Sequence, residues 1–348
     1  MDTDFGNREI IDNIIRIKQE LGNELVILTH HYQRRDIVVL GDHRGDSFAL
    51  ARRAARDENA RYIVFCGVHF MAESAAILAK PDQVVQIPNA DAGCWMADMA
   101  DAVMVDRSWK EAVSVVGEDR LTPLAYMNSD AAIKAHCGRN LGTVCTSSNA
   151  PKAFEWAFAR REKIFFFPDE HLGRNTAMDM NIPEDQILVW DPEKPLGGNT
   201  EAQIEAAKIL LWKGYCLVHT RFTPDQIVNM RQNFPDARII VHPECTHDVV
   251  SQADACGSTS FIVRQVTEAP AGTTFGIGTE INLIERLAYE HPDKKILPLR
   301  DSFCPNMYKI NLKSLLATLE DIGRRNVVTV DETVKKDAFI ALENMLNL

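Results

Sequence analysis

The sequence has 348 residues, 46% of them hydrophobic, enough to fill the cores of two or three domains. Its 38 basic residues are outnumbered by 49 acidic ones; the net charge of −11 excludes the basic footprint of a nucleic-acid binder and offers no polybasic patch to a membrane. The start, Met1-Asp2-Thr3-Asp4-Phe5, has neither a basic nor an apolar leader, and no apolar run reaches about 18 residues, so a cytoplasmic protein acting on a small molecule is expected.

Residues 7–21 place Ile10, Ile11, Ile14, Ile15, Ile17 and Leu21 at helical spacing, and Gly22 suits a left-handed C-terminal cap. A strand at 25–28 then runs into His30-His31-Tyr32, and Gly45-Asp46-Ser47 opens an alanine-rich helix with Asp46 or Ser47 as N-cap. Strand 62–66, helix 70–78 and strand 84–87 follow. Further along, the pattern predicts strand 103–105, helix 109–116, strand 124–127, strand 143–145 and strand 164–167, the last ending in Pro168-Asp169-Glu170-His171. The polar stretch 179–200, with its prolines and glycines, reads as an insertion or linker. A strand at 215–219 is expected next, then a helix started by Thr223-Pro224, strand 238–242, a helix from Ser258 through Val266, and strand 275–277. Two amphipathic helices, with Leu312, Leu315, Leu316 and Leu319 on one and Phe339, Leu342 and Met345 on the other, close the chain.

Alternating strands and helices specify an α/β protein with parallel sheets, and the unit recurs from about residues 24, 103 and 214. Strand ends carry the reactive side chains: His30 and Tyr32, Tyr126 and Asn128, His242 and Glu244, and Gly278-Thr279-Glu280. Polar residues also follow strands simply because turns are polar.

Eight cysteines (66, 94, 137, 145, 216, 245, 256 and 304), none spaced as CxxC, argue against zinc-ribbon and thioredoxin motifs and for reduced thiols. Cys94, Cys216 and Cys304 stand beside glycine or proline in strand-ending contexts, roughly one per unit, a placement that lets three loops meet around a bulky inorganic group. Three unrelated core thiols are the other reading.

Ten motifs in order decide between them. Among these, His30-His31-Tyr32-Gln33, Gly45-Asp46-Ser47, Ala92-Gly93-Cys94, Tyr126-Met127-Asn128-Ser129, Cys145-Thr146-Ser147-Ser148, His242-Pro243-Glu244-Cys245, Gly257-Ser258-Thr259-Ser260 and Cys304-Pro305-Asn306-Met307 closely resemble quinolinate synthase, the NadA family of NAD biosynthesis. The resemblance covers residues 24 to about 320. It implies three αβα-sandwich domains in a pseudo-threefold arrangement around a central cluster, here 1–100, 101–212 with the insertion near 179–200, and 213–305, with helices in 306–348 packing back on the body. It also implies a 4Fe-4S cluster on Cys94, Cys216 and Cys304, which leaves one iron open as a Lewis acid.

The reaction implied condenses iminoaspartate with dihydroxyacetone phosphate to quinolinate, releasing phosphate and two waters, with L-aspartate oxidase as candidate partner supplying iminoaspartate. By the same resemblance Ser47, Ser147, Ser258 and Thr259, at helix starts, hold phosphate and carboxylates, although plain N-capping explains such residues equally. Tyr32, Glu244, His30, His219 and His242 are the proton-transfer candidates, and Tyr126 and Asn128 position the intermediate. The longer interval from Cys94 to Cys216 than from Cys216 to Cys304 departs from a regular threefold and is assigned to 179–200. Some relatives carry a CxxC pair near the third ligand; this chain has none, so no redox switch of that kind is expected. Two alternatives stay open: a zinc-dependent lyase or hydrolase using His219, His242 and Glu244, and a non-catalytic small-molecule-binding α/β protein.

Overall fold

The computed structural model describes residues 3–348 and contains three separate, wholly parallel sheets. The first holds β1 (Leu25–His30), β2 (His43–Gly45), β3 (Tyr62–Cys66) and β4 (Val84–Gln86) in the order β2-β1-β3-β4. In the second, β5 (Leu121–Tyr126), β6 (Thr143–Cys145), β7 (Lys163–Phe167), β8 (Ile187–Trp190) and β9 (Ile209–Trp212) stand in the order β6-β5-β7-β9-β8. The third repeats the first, with β10 (Arg238–Val241), β11 (Ala255–Cys256), β12 (Thr274–Gly278) and β13 (Lys295–Pro298) ordered β11-β10-β12-β13. Every residue of β1, β5 and β7 is buried, as expected of parallel strands covered by helices on both faces. One strand order thus occurs three times without a residue-level repeat, and the second sheet differs only by its extra edge strand β8.

That extra strand decides between the two readings of 179–200 in favour of an insertion. The Ile-Leu-Val-Trp run of β8 pairs with β9 and leaves Leu188 and Val189 half-covered, as an edge strand does, so the stretch is an added strand and not a linker. Residues 103–105 are not a strand either. Asp101 accepts hydrogen bonds from the Val103 and Met104 N–H groups and starts a helix, Ala102–Val116, whose buried face is Val105, Trp109, Ala112 and Val116. Two valines and a methionine near an N-cap satisfy a helical stripe as readily as a strand, and the spacing beyond them decides. Nor do residues 215–219 form a strand: His219 N–H and Thr220 N–H both return to the Cys216 carbonyl, making a turn. Gly214 forces this break, since a Cβ there would lie 2.3 Å from the Pro168 carbonyl oxygen. The second and third sheets accordingly begin at Leu121 and Arg238, not near 103 and 214.

Other expected starts hold. Gly22 has φ +51° at the end of the first helix, Asp46 is the N-cap of Ser47–Arg56, and Thr223 forms a capping box with Gln226. Both late helices pack inward. Leu312–Glu320 lies against the first helix, Thr3–Leu21, and Glu332–Leu346 covers β6 and the helix Ala131–Arg139. Among the described residues no helix is long and apolar enough to cross a membrane.

Under that cover His136 is buried between Trp109 and Phe167, with ring centroids at 5.2 and 6.2 Å and no hydrogen-bond partner for Nε2 among the described residues. Burial lowers it from 6.5 to about 4. A depressed folded pKa means that the unfolded chain takes up a proton first, so stability is lost as pH falls from about 6.5 toward 4. By pH 5 the loss from this one group is about 2 kcal/mol. His136→Phe keeps the aromatic packing, and its melting temperature is expected to fall less than the parent's between pH 7.5 and 5; parallel declines would show that His136 does not titrate this way.

Candidate active site

The carboxyl ends of all three sheets line one cavity. What each strand contributes depends on its slot in the order. The strand made first in each sheet delivers proton-bearing groups: β1 leads to His30 and Tyr32, β5 to Tyr126 and Asn128, β10 to His242 and Glu244. The strand beside it delivers a hydroxyl, Ser47 after β2, Ser147 after β6, and Thr259 after β11. The strand in the fourth slot delivers a thiol: Cys94 after β4, Cys216 after β9, Cys304 after β13. Within each sheet chain direction explains the grouping, because parallel strands put all their following loops on one edge.

Glu244 sits at the centre. Tyr126 Oη donates to its Oε1, and His219 Nδ1–H donates to its Oε2 at 2.8 Å. Burial opposes its charge, but these two bonds and the adjacent His219 and His242 rings outweigh burial and hold Glu244 below the usual carboxylate range. An ionised carboxylate only accepts, so His219 carries a proton on Nδ1, and its Nε2 faces away from Glu244. That nitrogen lies 3.4 Å from the Tyr32 hydroxyl and 3.2 Å from Thr279 Oγ1, and the two hydroxyls are 2.8 Å apart. A continuous hydrogen-bonded chain therefore runs from Tyr32 through His219 and Glu244 to Tyr126, joining all three sheets.

His242 stacks on His219 at 4.3 Å and accepts the Glu244 N–H at Nδ1, while His30 Nδ1 accepts the Tyr32 N–H. Each is left with its proton on Nε2. Burial lowers His30 to about 4 and His242 to about 3, so near neutral pH both are uncharged donors. Burial likewise raises Tyr32 and Tyr126 well above the ordinary phenol value, which keeps both hydroxyls protonated.

The three cavity thiols are half-buried, and none of Cys66, Cys137, Cys145, Cys245 or Cys256 lines the cavity. Burial pushes Cys94 up to about 12 and raises Cys216 and Cys304 as well. The three thiols, one following each sheet, converge on the cavity as a donor set of the kind that holds a metal centre. Glu280 fixes the third loop by accepting the Cys304 N–H at 3.3 Å. Cys216, His219 and Glu244 also bring ligand atoms within 4.8 Å of one another. However, both nitrogens of His219 and both oxygens of Glu244 are engaged in hydrogen bonds, so a zinc ion there or with His242 would have to break them.

Ser258 is the exception among the expected substrate groups. It does not line the cavity, and its Oγ accepts the Phe261 N–H as the N-cap of helix Thr259–Glu268. The tip after β7 is spent similarly: Asp169 caps the helix Glu170–Asp179, and His171 is not in the cavity wall. Sequence reasoning left Thr279 and Asp46 without a site role, although both stand inside the quoted motifs, and it assigned no role to the apolar wall of Val68, Phe70, Met71, Val218 and Met307.

The chain matches the family described as Quinolinate synthetase A protein, NadA, over residues 12–191 and again over 178–347. It is 50% identical over 345 residues to the quinolinate synthase of Corynebacterium glutamicum, covering 98% of this chain and 88% of that protein. It is 48% identical over 335 residues to the quinolinate synthase of Bacillus cereus, covering 95% and 90%.

The Tyr126–Glu244 contact generates a test independent of turnover. Tyr126→Phe removes one of the two side-chain donors to a buried carboxylate and is expected to cost about 1.5–3 kcal/mol, read by denaturant unfolding. An unchanged midpoint would mean that the hydroxyl does not support the charge.

Proposed function

The chain belongs to the quinolinate synthase family, and on that footing we propose that it condenses iminoaspartate with dihydroxyacetone phosphate to form quinolinate, with loss of phosphate and two waters, for de novo NAD biosynthesis. The observation that carries the proposal is the division of labour around the cavity, where thiols, hydroxyls and proton-bearing groups each come from all three sheets. A 4Fe-4S cluster on Cys94, Cys216 and Cys304 supplies, when bound, a Lewis-acidic iron without a protein thiolate.

The chain's own residues do the rest. Ser47, Ser147 and Thr259 offer hydroxyls at helix starts, where free N–H groups favour the phosphate and carboxylates of the two substrates. His30 and His242 donate Nε2–H to carbonyl or carboxylate oxygens without adding a positive charge. Glu244 holds His219 in the tautomer whose Nε2 takes a proton, and the Tyr32 hydroxyl beside that nitrogen passes protons to and from the bound carbon skeleton. Tyr126 and Asn128, on one strand tip, fix the orientation of the intermediate. The apolar wall excludes bulk water, which both protects the imine from hydrolysis and favours the dehydrations.

Serine in place of Cys94, Cys216 or Cys304 is expected to abolish cluster retention, whereas the same change at Cys66, Cys137, Cys145, Cys245 or Cys256 leaves iron content near normal. Iron and sulfide assays on anaerobically prepared variants decide the matter, and full iron in the Cys216→Ser protein would remove Cys216 from the ligand set.

Glu244→Gln is expected to keep its cluster and bind quinolinate while turnover falls by about 10²–10⁴. Near-normal turnover together with a lowered melting temperature would instead make Glu244 a structural acceptor.

A further inference from the structure

Asp46 lines two cavities, the active one and a second, more open one. Its Oδ1 caps the helix Ser47–Arg56 by accepting the Ala49 N–H. The other oxygen, Oδ2, accepts hydrogen bonds from Ser148 Oγ at 2.7 Å and Ser260 Oγ at 2.6 Å. One buried carboxylate oxygen thus ties together three helix starts, one following each sheet. The neighbouring residues Ser47, Ser147 and Thr259 face the active cavity, so junction and anion cradle are built from consecutive residues on the same three loops.

The outer cavity is strongly basic for a chain of net charge −11. Arg52, Arg53 and Arg56 line it, all on the helix that Asp46 caps. Arg53 is paired with Asp57 at 3.1 Å, and Arg52 lies over the Phe48 ring at 5.7 Å. Arg56 has no side-chain hydrogen bond or ion pair among the described residues. A solvated helix face would explain three arginines alone. It does not explain why they share a cavity with a carboxylate that bridges loops from all three units next to the cradle.

We propose that this arginine-lined vestibule is the passage by which the anionic substrates and the dicarboxylate product reach and leave the active cavity, and that the Asp46–Ser148–Ser260 junction is the latch across it. The proposal rests on the functional reading above, in which every ligand is a phosphate ester or a dicarboxylate. Guanidinium groups at the mouth raise the local concentration of such anions, an effect that salt screens. Parting the latch separates the three loops that carry Ser47, Ser147 and Thr259, and re-forming it brings them together around a bound anion.

The test is quinolinate binding to anaerobic, cluster-loaded protein, followed by stopped-flow fluorescence at several ionic strengths. In the double variant Arg52→Gln/Arg56→Gln, association is expected to slow about five- to tenfold at low salt. The difference from the parent should shrink as the Debye length falls from about 30 Å at 0.01 M toward 3 Å at 1 M. In Ser148→Ala/Ser260→Ala, which removes both donors to the latch carboxylate, dissociation is expected to speed up about tenfold or more at unchanged iron content. Parental association rates in the arginine variant overturn the vestibule as the passage, and parental dissociation in the serine variant overturns the latch. A parent protein that binds no quinolinate at any salt overturns the functional reading and the passage with it, which keeps the two failures distinct.

Discussion

A buried carboxylate without enough donors would unfold its surroundings or take up a proton, and the centre of this molecule is arranged around preventing both at Glu244. Its two side-chain donors come from different places: Tyr126 from the tip of β5, and His219 from the turn that follows β9. His219 in turn meets Tyr32 from β1. The charge is therefore held where the second and third sheets meet, and the first sheet is tied to it through Tyr32 and His219. Stability and reactivity have the same origin here, since the bonds that keep Glu244 ionised also fix the tautomer of His219 and the position of Tyr126.

Sequence reasoning found the strands whose apolar runs are long and end abruptly. β1, β3, β7, β10 and β12 are continuous buried runs bounded by glycine, proline or charge, and those are the strands that periodicity can see. It failed where local signals were ambiguous or tertiary contacts decided. Val103–Val105 has strand composition, but the side chain of Asp101 turns it into a helix start. Tyr215–His219 has strand composition too, yet Gly214 is pressed against Pro168 and the chain turns. β2 and β11 are three and two residues long, too short for any pattern, and they exist because a neighbouring strand offers an edge.

The candidate site was legible in a different way. Of the fourteen residues expected at the site, thirteen line the cavity, because reactive side chains at strand ends leave a mark in the sequence that does not depend on exact element boundaries. Ser258 shows the limit of that mark. A serine beside a threonine at a helix start offers two hydroxyls, and only the geometry says that Ser258 serves the helix and Thr259 the cavity. Asp46 shows the converse, a residue readable from sequence as a cap whose second oxygen reaches two distant loops that no local pattern links to it.

The late helices bear on how the chain acquires its shape as it is made. Helix Glu332–Leu346 closes over Ala131–Arg139 so tightly that a Cβ at Gly138 would lie 1.9 Å from the Asp337 carbonyl oxygen, and Thr143 bonds to Ala341 across 198 residues. Helix Leu312–Glu320 does the same for Thr3–Leu21. On a ribosome the first two sheets are synthesised with one face of their covering layers still unmade, and that apolar surface stays open until the third sheet has followed. The three sheets repeat as architecture, but they are not three units of folding. Whatever guards the nascent chain must shelter the first of them for nearly the whole time of translation.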